Sequence, residues 1–145
     1  MTQEEKQLLL QDLSARLPYG VIVRHADCII DDNYNETGEF HYTKGYLYDI
    51  CRMDDMTTTI IESEGKREGY EHISLLERTV PYLRPMSSMT EEEKEELIKN
   101  FWGSHTAKDT FEELSWYLSK HLDINGLIPK GLAIEVTKEN NPYEN

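Results

Sequence analysis

At 145 residues with only two cysteines, the chain is long enough to bury a core without disulfide staples, and a single domain is the expectation. Its 28 acidic against 15 basic residues give a formal charge of −13. That argues against unassisted binding to nucleic acid or an anionic membrane, where neutralised phosphates supply much of the affinity. The opening MTQEEKQLLLQDL has acids where an export signal needs a basic region, and no segment approaches the ~20 apolar residues of a membrane span. A cytoplasmic protein is therefore expected, with Cys28 and Cys51 reduced and half-buried.

Thr2-x-x-Glu5 fits a reciprocal capping box, and a helix is predicted over Gln3–Arg16. Leu9, Leu10, Leu13 and Leu17 share its apolar face, with Glu4, Gln11 and Asp12 elsewhere. Pro18-Tyr19-Gly20 ends it. Gly20–His25 is rich in β-branched residues and reads as a strand, with a turn at Ala26-Asp27 and a second short strand at Cys28–Ile30. In the polar stretch Asp31–Gly38, Asp31, Asn33 and Asn35 match the start of a calcium loop. Glu36 then stands where glycine is required and Tyr42 at the twelfth position, so no calcium is expected. Glu39–Tyr42 and Tyr46–Met53 read as hairpin partners across Thr43-Lys44-Gly45. Tyr46, Tyr48, Ile50 and Arg52 would face one side, and Leu47, Asp49, Cys51 and Met53 the other. Met56–Glu62 is a strand, Ser63–Gly69 a charged loop, Glu71–Ile73 a further short strand, and Ser74-x-x-Glu77 a cap for one helical turn.

Val80–Trp102 is the joint at which strands give way to helices. Pro81 and Pro85 hold Tyr82-Leu83-Arg84 extended. Both Ser88-x-x-Glu91 and Thr90-x-x-Glu93 fit the capping box that opens a helix over Glu91–Trp102. Gly103 ends that helix, and Thr106-x-x-Asp109 opens a third over Ala107–His121. Its predicted core stripe is Ala107, Phe111, Leu114, Leu118 and Leu122. Trp116 falls on the opposite side, among Glu112, Glu113, Ser119 and Lys120. That placement leaves two expectations for it: cover by a folded-back tail, Leu127–Val136, or a role as partner anchor. From Lys138 the tail reads as disordered.

Leu8–Val21 (LLLQDLSARLPYGV), Pro81–Leu97 (PYLRPMSSMTEEEKEEL) and Asp123–Glu135 (DINGLIPKGLAIE) resemble a group of uncharacterised proteins recurring in gut Bacteroidales genomes and their prophages and phages. The resemblance implies an intracellular protein linked to a mobile element. It implies no activity.

His25, His41, His72, His105 and His121 have no His or Cys partner at ligand spacing on a predicted helix, so no zinc site is expected. No nucleophile elbow, phosphate-binding glycine loop or H-E-x-x-H motif is present. Arg84 would either offer its guanidinium to an anion or pair with Glu91 or a neighbouring acid. Tyr42, Tyr46 and Tyr48 would form an aromatic platform or pack in the core. The resulting expectation is one α+β domain: an N-terminal helix and a C-terminal helix pair on a small, twisted antiparallel sheet of four to six strands, curling toward an SH3-like partial barrel. Strands occupy about 18–79, helices 80–122, an irregular tail 123–137 and a disordered end 138–145. The expected function is an accessory protein that binds another protein, with no cofactor and no metal. Trp116, Arg84, Tyr82, Trp102, Tyr46 and Tyr48 are the candidate binding residues. The alternatives are an acidic counter-defence protein that blocks a host nuclease or effector or sequesters a nucleotide signal, and an enzyme with a dispersed site.

Overall fold

The computed structural model describes residues 1–63, 71–101 and 106–144. Trp102, Gly103 and His105 lie outside these, as does nearly all of the Ser63–Gly69 loop. Helix α1 (Gln3–Arg16) opens with the capping box: Glu5 N–H donates to Thr2 Oγ1 (3.1 Å) and Thr2 N–H to the Glu5 carboxylate (2.9 Å). A single tight turn at Leu17–Tyr19 and the left-handed Gly20 then reverse the chain into the sheet.

Six strands follow: β1 (Ile22–Ile30), β2 (Glu36–Met53), β3 (Met56–Ser63), β4 (Glu71–Leu75), β5 (Thr79–Leu83) and β6 (Ile134–Glu135), in the spatial order β4-β3-β2-β1-β5-β6. All neighbours are antiparallel except β5 and β6, which run parallel, so the fold is α+β with a mixed, open sheet. Nothing in this order is specific to an SH3-like barrel. The sheet nevertheless curls. The Thr59 hydroxyl on β3 lies 2.7 Å from that of Thr79 on β5, although two strands separate them in the order.

Three strand expectations are corrected. No turn forms at Ala26-Asp27, because both residues pair in the ladder with Tyr42 and His41 and carry β1 straight through. No hairpin forms at Thr43-Lys44-Gly45 either. Thr43 and Lys44 pair with His25 and Arg24, and β2 runs unbroken for 18 residues. Gly45 is there for a close approach: a Cβ at this position would lie 2.5 Å from Glu62 O and 2.6 Å from Ile61 Cγ2. Finally, a bulge around Tyr48 shifts the β2–β3 register between Leu47 and Asp49. Leu47 and Ile50 therefore both reach the core side, which strict alternation forbids.

The core lies between α1 and the concave side of the sheet. It joins Leu9 and Leu13 to Val21, Val23, Leu47, Ile61, Leu76 and Leu83, and to Leu127 and Leu132 of the tail. Each fully buried Leu is worth about 2 kcal/mol over its exposed state. Ser74 does not cap the short turn Leu76–Arg78; its cap position is Leu75.

Helix α2 (Glu91–Phe101) starts at Thr90, not Ser88: Thr90 N–H donates to Glu93 Oε1 (2.9 Å) and Glu93 N–H to Thr90 Oγ1 (3.1 Å). The Ser88 hydroxyl instead donates to Pro85 O (2.7 Å). Helix α3 (Ala107–Ser119) stops two residues short of the expected end. His121 N–H donates to Leu118 O and Leu122 N–H to Tyr117 O, a Schellman cap with His121 in the left-handed position, φ 60°. Only the end of the predicted stripe is buried, at Leu118 and Leu122; Phe111 and Leu114 stand exposed. Residues 138–144, expected to be disordered, instead pack on the fold. Asn140 ties Thr137 to Glu135 O, Pro142 is buried, and the Tyr143 hydroxyl donates to Tyr82 O (2.7 Å) while accepting from Ile22 N–H (3.1 Å). Among the described residues no helix is long and apolar enough to cross a membrane.

Candidate functional site

Ladder partners share a face, and the register sorts the aromatic residues of β2. Tyr46 opposes Ile22, Tyr42 opposes Ala26 and Phe40 opposes Cys28, all on the side away from the core residue Val23. Tyr42 is 53% exposed, Tyr46 41% and Tyr48, at the bulge, 61%. These rings are not core. Beside them the Arg24 guanidinium lies 4.6 Å over the Tyr42 ring and that of Arg78 5.4 Å over Phe40. Together with Ala26, Glu77 and Val80 these four line a shallow cavity of about 200 Å³. Both guanidinium groups lie within cation–π reach of the rings.

Arg84 and Tyr82 belong elsewhere. Both terminal nitrogens of Arg84 bond Glu93, Nη1 to Oε2 (2.9 Å) and Nη2 to Oε1 (2.6 Å). Its other donors reach Ser88 Oγ, Ser88 O and Lys120 O. The acid partner is thus Glu93 rather than Glu91, and the guanidinium has no donor left to offer an anion. The hydrogen bond from Arg84 holds the Glu93 carboxyl far below its ordinary range, at about 2. Arg84 is a staple, clamping the start of α2 to the extended chain after β5. Tyr82 is buried, and burial raises its phenol above the usual value.

Around this staple lies a cavity of about 710 Å³, lined by Arg84, Glu93, Lys120, His121, Lys138 and Tyr143 among others. The His121 ring stacks on Tyr143 at 3.8 Å and 8°. Burial, then the nearby Arg16 and Arg84 cations, push His121 down to about 4. Burial likewise drives Tyr143 well above the ordinary tyrosine value. The two perturbed rings pack against each other. Trp116 is half-buried, edge-on to Tyr117 at 5.5 Å and under the Lys120 ammonium at 5.7 Å. Leu127 and Leu132 of the tail enter the main core beside Leu9 and Leu13. The six expected binding residues therefore do not form one site: Tyr46 and Tyr48 share the outer face of β2, Tyr82 and Arg84 build the joint, Trp116 sits on α3, and Trp102 is outside the described residues.

The structure also assembles a cluster that no local spacing announces. His25 and Asp27 point to the concave side of β1, and the curl of the sheet brings His72 of β4 to them. The two imidazole centroids are 5.0 Å apart, and His25 Nδ1 lies 3.8 Å from Asp27 Oδ2. His25 is buried, its Nε2 2.5 Å from Thr43 Oγ1. Burial lowers its pKa, the charge of Asp27 opposing and those of His72 and His41 assisting. The chain matches no protein-family model, no curated protein and no solved structure.

Proposed function

We propose that this is a cytoplasmic accessory protein of a mobile element that acts by binding another protein through the outer face of its sheet. The observation that carries this is the row of exposed Phe40, Tyr42, Tyr46 and Tyr48 with Arg24 and Arg78 stacked against it. Tyrosine and arginine are the residues that dominate protein-binding hot spots, because they give large contact area and directed donors at low entropic cost. In a chain of charge −13, two arginines on an aromatic floor suit an acidic segment with an apolar anchor. The link to a mobile element rests on the resemblance of Leu8–Val21, Pro81–Leu97 and Asp123–Glu135 to the Bacteroidales and phage group. A second reading, blockade of a basic host nuclease or effector by acidic charge, is favoured by α2, where Glu91, Glu92, Glu95 and Glu96 all stand in solvent.

The test is affinity capture from a gut Bacteroidales lysate with three proteins of equal melting temperature: wild type, Tyr42→Ala/Tyr48→Ala, and α2 with those four glutamates changed to glutamine. The first reading expects a captured protein whose affinity falls at the tyrosine pair by about 2 kcal/mol or more. A capture that survives the tyrosine pair and disappears with the glutamates establishes the second reading instead.

A further inference from the structure

We propose that His25, Asp27 and His72 bind a divalent ion of the zinc class, with water completing the coordination. One ligand atom from each residue lies within 4.8 Å of the other two. Zinc held by bonds of about 2 Å needs its donors roughly 3.3 Å apart. Closing the difference falls to Asp27 and His72, both only partly buried. His25 is the fixed point. When its Nε2 carries the proton and donates to Thr43 Oγ1, the lone pair at Nδ1 faces Asp27. That nitrogen is buried and has no hydrogen-bond partner, an arrangement a protein avoids unless something else uses the atom. Ligating histidines are oriented in this way, one ring nitrogen to the metal and the other to a polar neighbour.

The chemistry of the set narrows the ion. Two imidazoles and one carboxylate, with no thiolate, suit zinc and its transition-metal neighbours and disfavour calcium or magnesium, which want oxygen donors. Three protein ligands leave one tetrahedral position to water. The ion would tie β1 to β4, strands that share no ladder, and so fasten the curl of the sheet on the side opposite the aromatic face.

Chelator-stripped full-length protein, in excess Mg²⁺ to occupy surface carboxylates, is titrated with Zn²⁺ by calorimetry and melted with and without it. One ion per chain and a rise in melting temperature that EDTA reverses are expected, because a ligand that binds only the folded state stabilises it. His25 is core, so the variants are Asp27→Asn and His72→Gln, checked to melt like wild type without metal. Each should weaken binding by more than the roughly tenfold that losing an outer-shell partner costs. Affinity unchanged in both variants, or no stoichiometric binding to wild type, overturns the proposal.

Discussion

Asp12 and Arg16 stand one turn apart on α1, and neither side chain reaches water. Arg16 Nε donates to Asp12 Oδ2 (2.7 Å) and Nη2 to Oδ1 (3.1 Å). Nη2 also reaches Leu122 O (2.7 Å), and Asn125 Nδ2 donates to Asp12 Oδ1 (2.8 Å). A charge pair taken wholly out of water survives only with such geometry, since desolvation costs several kcal/mol per ion. Asp12→Ala should therefore cost about 3–5 kcal/mol by urea unfolding, because it leaves the guanidinium buried and uncompensated. Changing both residues to apolar ones of similar volume should recover much of that loss. A single variant within about 0.5 kcal/mol of wild type, the range of ordinary surface substitutions, would show that the pair carries no such role. Helical spacing alone placed Asp12 off the Leu9–Leu13 face, and in an isolated helix that is right. What buries it is the returning segment 122–125, which the α1 sequence does not contain.

At the scale of elements, Gly45 is the position that lets β3 close on β2. β2 is flanked by β1 and β3 there, and a methyl group at Gly45 would meet backbone on β3. Gly45→Ala should cost about 1–3 kcal/mol, the usual penalty of overpacking, read as a lower urea midpoint with unchanged slope. The same residue shows where sequence reading stops. α1 and the starts of α2 and α3 were legible because a capping box is local: Thr2 with Glu5, Thr90 with Glu93, and Thr106 with Asp109 each lie within one turn. Glycine between two β-rich runs is ambiguous, since a turn and a close approach demand it equally. The bulge at Tyr48 and the meeting of His25 with His72 depend on partners up to 47 positions away, visible only once strands are paired. The aromatic row was visible as composition, but which face it occupied waited on the register.

Across the whole molecule, the strand-rich and helical halves are joined by buried or half-buried polar ties: Arg16 to Leu122 O, Arg84 to Glu93 and to the backbone of His121 and Asp123, and Tyr143 to Tyr82 and Ile22. These ties make stability depend on pH in a definite direction. His121 is lowered to about 4 and His25 is also lowered, so between about 6.5 and 4 the unfolded chain takes up protons that the folded chain does not. Both histidines are neutral in either state above 6.5, and there they contribute nothing. Stability therefore falls as pH drops below 6.5. Glu93, held at about 2, adds its own loss from about 4.5 downward, because protonation ends its bond to Arg84. Protonation also relieves the repulsion of a −13 chain, but carboxylates titrate mostly below 4.5, so the histidines set the slope between 6.5 and 5. Urea midpoints measured in chelator at pH 7.5, 6.5, 5.5 and 5.0 should be level at first and then decline. His121→Asn keeps a residue suited to the left-handed position and removes one titrating group, so its decline should be shallower. A wild-type midpoint that rises toward pH 5, or an Asn variant whose decline matches wild type, would show that charge repulsion governs the acid limb instead.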